Sequence, residues 1–181
     1  KAQKYNDLSF KIATRDLKEY VKWHSRGFIF NAIKNYKESL QCYQNALKVG
    51  ERDHGIYYAE KEQIYNNLGA VYLNLNEYDK ALDCFEQSKA IVVKNSGMNN
   101  ASYSECLNMI GKTYLSKTEN ASDLSKFLEN KKKNTISALE YYQQALFSIS
   151  PGFTNPDYSA NPDIDLAIDK TQLLVSLKNK A

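Results

Sequence analysis

The sequence predicts an all-α protein: a right-handed α-solenoid of about three helix pairs, closed by a C-terminal capping helix. Three observations predict it. Gly27, Gly69 and Gly111 recur at intervals of 42 residues. Each stands in the same pattern of aromatic and small residues, which is how a repeat array shows itself. All three prolines, Pro151, Pro156 and Pro162, lie after residue 150, so the first 150 residues lack the strongest helix breaker.

Around the first glycine the chain reads Trp23-x2-Arg26-Gly27-x2-Phe30, followed by Tyr36, Ser39-Leu40, Tyr43 and Ala46-Leu47. Around the second it reads Tyr65-x2-Leu68-Gly69-x2-Tyr72, then Tyr78, Ala81-Leu82, Phe85 and Ser88. The third runs Leu107-x2-Ile110-Gly111-x2-Tyr114 and resumes, after an insertion, as Ala138-Leu139, Tyr142 and Ala145-Leu146. Each glycine lets the two helices of its pair approach closely, small residues such as Ala81 and Ala138 do the same from the other side, and aromatics fill the space between. The layout W-x2-L-G-x2-Y…A-x3-F resembles the tetratricopeptide repeat, and the resemblance covers residues 17–150 in three repeats, 17–54, 55–96 and 97–150.

Taken in order, residues 1–16 read as a lead-in helix, with Tyr5, Leu8 and Ile12 at helical spacing, the remnant of an earlier repeat. Asp16-x-x-Glu19 reads as a capping box that opens the first helix of repeat one, which runs to about Asn35. Its partner spans about 36–49, with Gly50 as a stop. Repeat two places helices at about 56–75 and 78–94, and the linkers before repeats two and three correspond, Gly55 with Gly97 and Ala59 with Ala101. The stretch Gly50-Glu51-Arg52-Asp53-His54, followed by Ile64 to Gly69, is similar to the long repeats of kinesin light chains and of bacterial arrays.

Repeat three starts its first helix near 100, with Ser102-x-x-Glu105 as a capping box. A 15-residue insertion within about 117–134 then separates the paired helices. Asp123, Leu124, Phe127 and Leu128 keep helical spacing and run without a breaker into Thr135 and Ala138. The preferred reading is one extended helix over about 122–149; a separate short helix, with 131–134 as a turn, stays open. Residues 151–168 form a turn-rich connector, and a capping helix over 169–181 begins with Asp169-x-x-Gln172 and presents Leu173, Leu174 and Leu177. The order Pro151-Gly152-Phe153, Asn161-Pro162, Leu173-Leu174-x2-Leu177-Lys178 is similar to the segment that follows the repeats in bacterial CHAT-type proteins. That resemblance implies a caspase-like peptidase downstream in a longer protein, with this chain as its N-terminal regulatory region acting in cis. The start at Lys1 points the same way, to a processed chain or a piece of a longer one.

Composition bears on function mainly by exclusion. With 24 basic and 21 acidic residues the net charge is +3, too small and too dispersed for a nucleic-acid footprint, and Lys131-Lys132-Lys133 is too short to change that. No apolar run is long enough to span a membrane. Cys42, Cys84 and Cys106 form no CxxC pair, and the first two share a repeat slot, so they read as reduced core residues of a cytoplasmic protein. His24 and His54 are the only histidines, and neither shares a helical face with a cysteine, which leaves no nucleophile and base pair. No metal-ligand spacing and no phosphate-binding glycine loop occurs, so neither a metal nor a cofactor is expected, and the chain does not read as an enzyme. The 14 tyrosines fall mostly in packing slots.

Function is sought on the concave face that the first helix of each pair lines. Three residues before each glycine come His24, Asn66 and Asn108; one after, Phe28, Ala70 and Lys112; four after, Asn31, Leu73 and Leu115. Asn66 and Asn108 offer donor and acceptor to the backbone of an extended peptide, Phe28 and Leu73 offer apolar contact, and Glu105 and Lys112 set charge preference. Some tetratricopeptide domains hold a chaperone's C-terminal carboxylate with a lysine and arginine clamp; here only Asn67 fits that clamp, and Glu105 stands where a base is required. The packing signature is Trp23, Gly27, Tyr43, Tyr65, Gly69, Tyr72, Ala81, Phe85, Gly111, Tyr114, Ala138 and Tyr142. The expected function is a protein-interaction module that takes a peptide or helix of a partner in its groove, with the regulatory role in cis or a structural or self-association spacer as alternatives.

Overall fold

The structure, a computed structural model, describes residues 2–52, 58–117, 124–150, 152–153 and 176–180, with side chains of the first helix from residue 15 onward. Every regular element among these residues is a helix: α1 (Ala2–Ala32), α2 (Tyr36–Arg52), α3 (Tyr58–Asn74), α4 (Tyr78–Ser96), α5 (Ala101–Ser116), α6 (Leu124–Ile149) and α7 (176–180). Helices pack as pairs, α1 with α2, α3 with α4 and α5 with α6, and successive pairs join through α2–α3 and α4–α5. The result is an all-α solenoid.

The repeat glycines explain the pairing. A Cβ on Gly27 would stand 2.7 Å from Tyr43, and one on Gly111 would stand 2.7 Å from Tyr142, closer than any real side chain tolerates. Tyr43, Phe85 and Tyr142 are fully buried, so the ring of the second helix lies in the space that the glycine of the first leaves open. Where the small-residue slot holds serine instead of alanine, the hydroxyl is buried but bonded: Ser39 Oγ donates to the Gly27 carbonyl at 2.8 Å, and Ser88 Oγ to the Glu62 carbonyl at 3.1 Å. Between pairs, Tyr20, Ile64, Leu68 and Val71 join Tyr43, Ala46 and Val49 in one cluster, while Leu73, Ala81, Phe85 and Ile110 form the next.

The turns inside the first two pairs share a geometry. Lys34 (φ 61°) and Asn76 (φ 60°), 42 residues apart, take the left-handed conformation. Asn35 N–H bonds the Phe30 carbonyl at 2.8 Å and Lys34 N–H the Asn31 carbonyl at 3.0 Å; Glu77 to Tyr72 and Asn76 to Leu73 repeat both bonds. This is a Schellman ending, which satisfies carbonyls the helix leaves open.

Four expectations are corrected. No separate lead-in helix exists, because α1 runs unbroken from Ala2 to Ala32; the stretch Ala13-Thr14-Arg15-Asp16 contains neither glycine nor proline to stop it. Asp16 is therefore mid-helix and caps nothing: it is buried, with Arg15 Nε 3.2 Å from its carboxylate. Gly50 does not end α2, which continues to Arg52; it lies beside Lys61 of α3, whose Cε would be in ordinary contact, at 3.6 Å, with an added Cβ. Asn100, not Ser102, caps α5, its Oδ1 accepting from Tyr103 N–H at 2.9 Å.

The described part of the insertion beyond Lys117 belongs to one helix. Residues 124–149 are continuous in α6, and Asn134 Nδ2 donates to the Lys117 carbonyl at 2.8 Å where α5 ends, so residues 124–133 run on past the partner helix. Lys117 Nζ also pairs with Asp79 at 2.8 Å and fixes that corner to the preceding pair. At the far end, α7 lies on the last pair, with Leu177 and Phe153 packed on buried Leu146 and Ile149. The connector from 154 to 168, the cap Asp169-x-x-Gln172, Leu173 and Leu174, Gly55, and most residues of the CHAT-like segment lie outside the described residues.

Candidate functional site

The first helices form a row, α1 touching α3 and α3 touching α5, and this row carries the concave positions. His24 stands at its start, half-buried, its ring stacked on Tyr20 at 5.8 Å and tilted against Tyr43 at 5.9 Å. Desolvation there pushes its pKa below the ordinary histidine value, so the ring is neutral at pH 7. Asn67 Nδ2 lies 3.1 Å from His24 Nε2. An amide nitrogen can only donate, so Nε2 accepts and the ring proton sits on Nδ1. Beside this bridge between α1 and α3, Phe28 is 62% exposed and Val21 50% exposed. Spaced at i, i+3 and i+7, Val21, His24 and Phe28 share one face of α1. Ala70 and Asn31 are half-buried nearby in sequence register, and the Asn31 Oδ1 is enclosed without a hydrogen-bond partner among the described residues.

Other expected groove residues lie elsewhere. Asn108 is buried, and its Nδ2 donates to Ser176 Oγ of α7 at 2.8 Å. Asn66 accepts from Cys106 Sγ at 3.8 Å, toward the interior contact that Cys106 also makes with Ser88. The two asparagines therefore form no open ladder: one is roofed by the C-terminal helix, the other turned into the junction of α3 and α5. Leu73 belongs to the core beside Phe85 and Ile110. Lys112 and Leu115 on α5 are exposed.

Glu105 reaches solvent, yet the protein around it desolvates the carboxyl and raises its pKa. Glu62, on α3, is raised as well, first by desolvation and then by the charge of Glu105, against a Ser102 hydrogen bond that lowers it. The concave row thus has an apolar end at α1, an amide bridge in its middle and an acidic stretch toward α5. Cys84 and Cys106 are the reverse of activated, both pushed up to about 11 by burial. Among the described residues no group of three or more His, Cys, Asp or Glu side chains could hold a metal ion, and no helix is long and apolar enough to cross a membrane.

Sequence reasoning placed Phe28 and His24 on this face but missed Val21 and the Ser176 contact. Val21 carried a signal, its spacing from His24 and Phe28. Ser176 carried none, since nothing local shows which groove residue a C-terminal helix will cover.

Known proteins share this architecture. The N-terminal domain of stress-induced protein-1 (STI-1) from C. elegans superposes with a TM-score of 0.55 over 92% of this chain and 98% of that domain, at 10% identity, a likeness of fold. A stretch of 34 residues is 38% identical to the N-terminal acetyltransferase A complex auxiliary subunit NAA15 of Arabidopsis thaliana, 19% of this chain. The match spans only 4% of that relative's length. The family model for the tetratricopeptide repeat matches residues 20–92 and again 60–126, together more than half of the chain. With its glycine-to-aromatic pairs seated as that repeat requires, the chain belongs to the tetratricopeptide-repeat family.

Proposed function

We propose that the chain is a protein-interaction module that holds a peptide or helix of a partner protein on the face shared by α1 and α3. One observation carries this reading: Phe28 and Val21 stay exposed beside the His24–Asn67 bridge, where an apolar side chain of a ligand would find contact and its backbone an amide. The usable surface is shifted toward the first two repeats, because Asn108 is already engaged by Ser176. Three free cysteines with no disulfide support a reducing, intracellular setting.

The test is affinity capture from a lysate of the native source with the intact chain and with a Val21→Ser, Phe28→Ser double variant. Both side chains are exposed, so circular dichroism melts of the two proteins should agree closely. Partners held by the intact chain and lost from the variant support the groove. Capture of the same partners by both proteins moves the binding surface off α1.

A further inference from the structure

We propose that the start of α6, Leu124 to Asn134, is a docking arm for an acidic amphipathic helix of another protein. This surface is separate from the α1–α3 face and does not depend on it.

Register is the first observation. At 3.6 residues per turn, Leu124, Phe127 and Leu128 fall in the same sector of α6 as Ala138, Tyr142, Ala145 and Leu146, the residues packed on α5. The core-facing stripe of this helix therefore continues beyond the point where its partner stops. Asn134 marks that point, bonded to the Lys117 carbonyl at the end of α5. Ten residues of helix, roughly 15 Å, run past it. On this stretch Leu124 is 72% exposed and Leu128 55%. Phe127 between them is half-buried, so a stripe built for helix packing leaves two of its three apolar residues facing water.

Charge is the second. The segment from 124 to 134 contains Lys126, Lys131, Lys132 and Lys133 against Glu129, a formal +3. That equals the net charge of the whole protein, so the rest of the chain is balanced, with 20 basic and 20 acidic residues. The chain's excess positive charge is thus matched by that of this extension of α6.

These two observations select the occupant. A second copy would bring like charge to the same stripe, and three apolar side chains bury too little area to overcome it. A membrane is disfavoured by the placement of the lysines: Lys131 falls within the apolar stripe, and Lys126 and Lys133 lie on the opposite side, so lipid would meet a lysine at the centre and miss two others. A partner helix with leucines facing Leu124, Phe127 and Leu128 and an acid facing Lys131 and Lys132 pairs the lysine inside the stripe, which lipid tails cannot do, and leaves Lys126 and Lys133 in water. Its binding would be weak and salt-dependent.

The probe is a fluorescent designed helix of about 14 residues, two heptads, with leucine at the seam and glutamate at its flanks, titrated into the full chain by anisotropy. A twin peptide with lysine for glutamate and vesicles containing phosphatidylserine are run beside it. Binding of the acidic peptide should fall on the order of tenfold for Leu124→Ser, Leu128→Ser and again for Lys131→Glu, Lys132→Glu, and fall likewise on raising salt. The lysine twin should bind only the charge-reversed variant. All four side chains are exposed, so unchanged thermal melts will show that the variants are folded. The proposal is overturned if the acidic peptide binds neither protein, if the serine variant binds it as well as the intact chain does, or if only vesicles bind.

Discussion

The Cβ that Gly69 lacks would stand 2.5 Å from Cε1 of Phe85, a ring with no solvent exposure. Replacing Gly69 by alanine should therefore lower stability by up to about 2 kcal/mol, overpacking outweighing alanine's better helix propensity. Urea unfolding measures it, and the penalty should shrink in a Phe85→Leu background. An alanine that stabilises the protein would show that the contact is not close.

Ser176→Ala should cost about 1–3 kcal/mol, because it leaves Asn108 Nδ2 buried without its acceptor. Hydrogen exchange should report faster opening of 176–180 in the variant, with the protection of α3 and α4 retained. Equal exchange in both proteins would remove α7 from the account of the closed end.

Lys34 holds a left-handed conformation that glycine adopts without cost. Lys34→Gly should raise stability by about 1 kcal/mol, and Asn76→Gly by less, since asparagine already tolerates that region. Thermal melts of the two variants give the order directly.

His24 titrates below its ordinary value because burial disfavours the charged ring. Its pKa is lower in the folded protein than in the unfolded chain, so the unfolded chain takes up the proton first on acidification. Stability contributed by the neutral ring is complete above the ordinary histidine range and is lost as pH falls through the lowered value. A His24→Gln variant should flatten this dependence in urea titrations below neutral pH. Persistence of the full slope would assign it to another group.

The parts of this fold that could be read in the sequence were those that recur. Gly27, Gly69 and Gly111 with Tyr43, Phe85 and Tyr142 form one contact three times, and a contact made three times leaves a period. Features set by a single distant neighbour leave none. Gly50 resembles a helix stop although α2 runs on to Arg52, and Asn108 resembles a groove amide until α7 covers it. Lys34 is a third kind of case, since its backbone conformation is imposed by the Schellman turn around it and not by its own chemistry. Phe28 was legible because exposure follows from register on α1 alone.

The ring of Tyr142 meets Gly111 as Tyr43 meets Gly27, although 31 residues separate the third pair where 16 separate the first. Adding length to a turn costs little, roughly 0.6 kcal/mol for each doubling. The solenoid is thus indifferent to what its third turn carries, provided Lys117 and Asn134 still meet at its base. That turn is a socket: a foreign segment of similar length grafted between those two residues would be displayed where the seating of Tyr142 on Gly111 does not depend on its length.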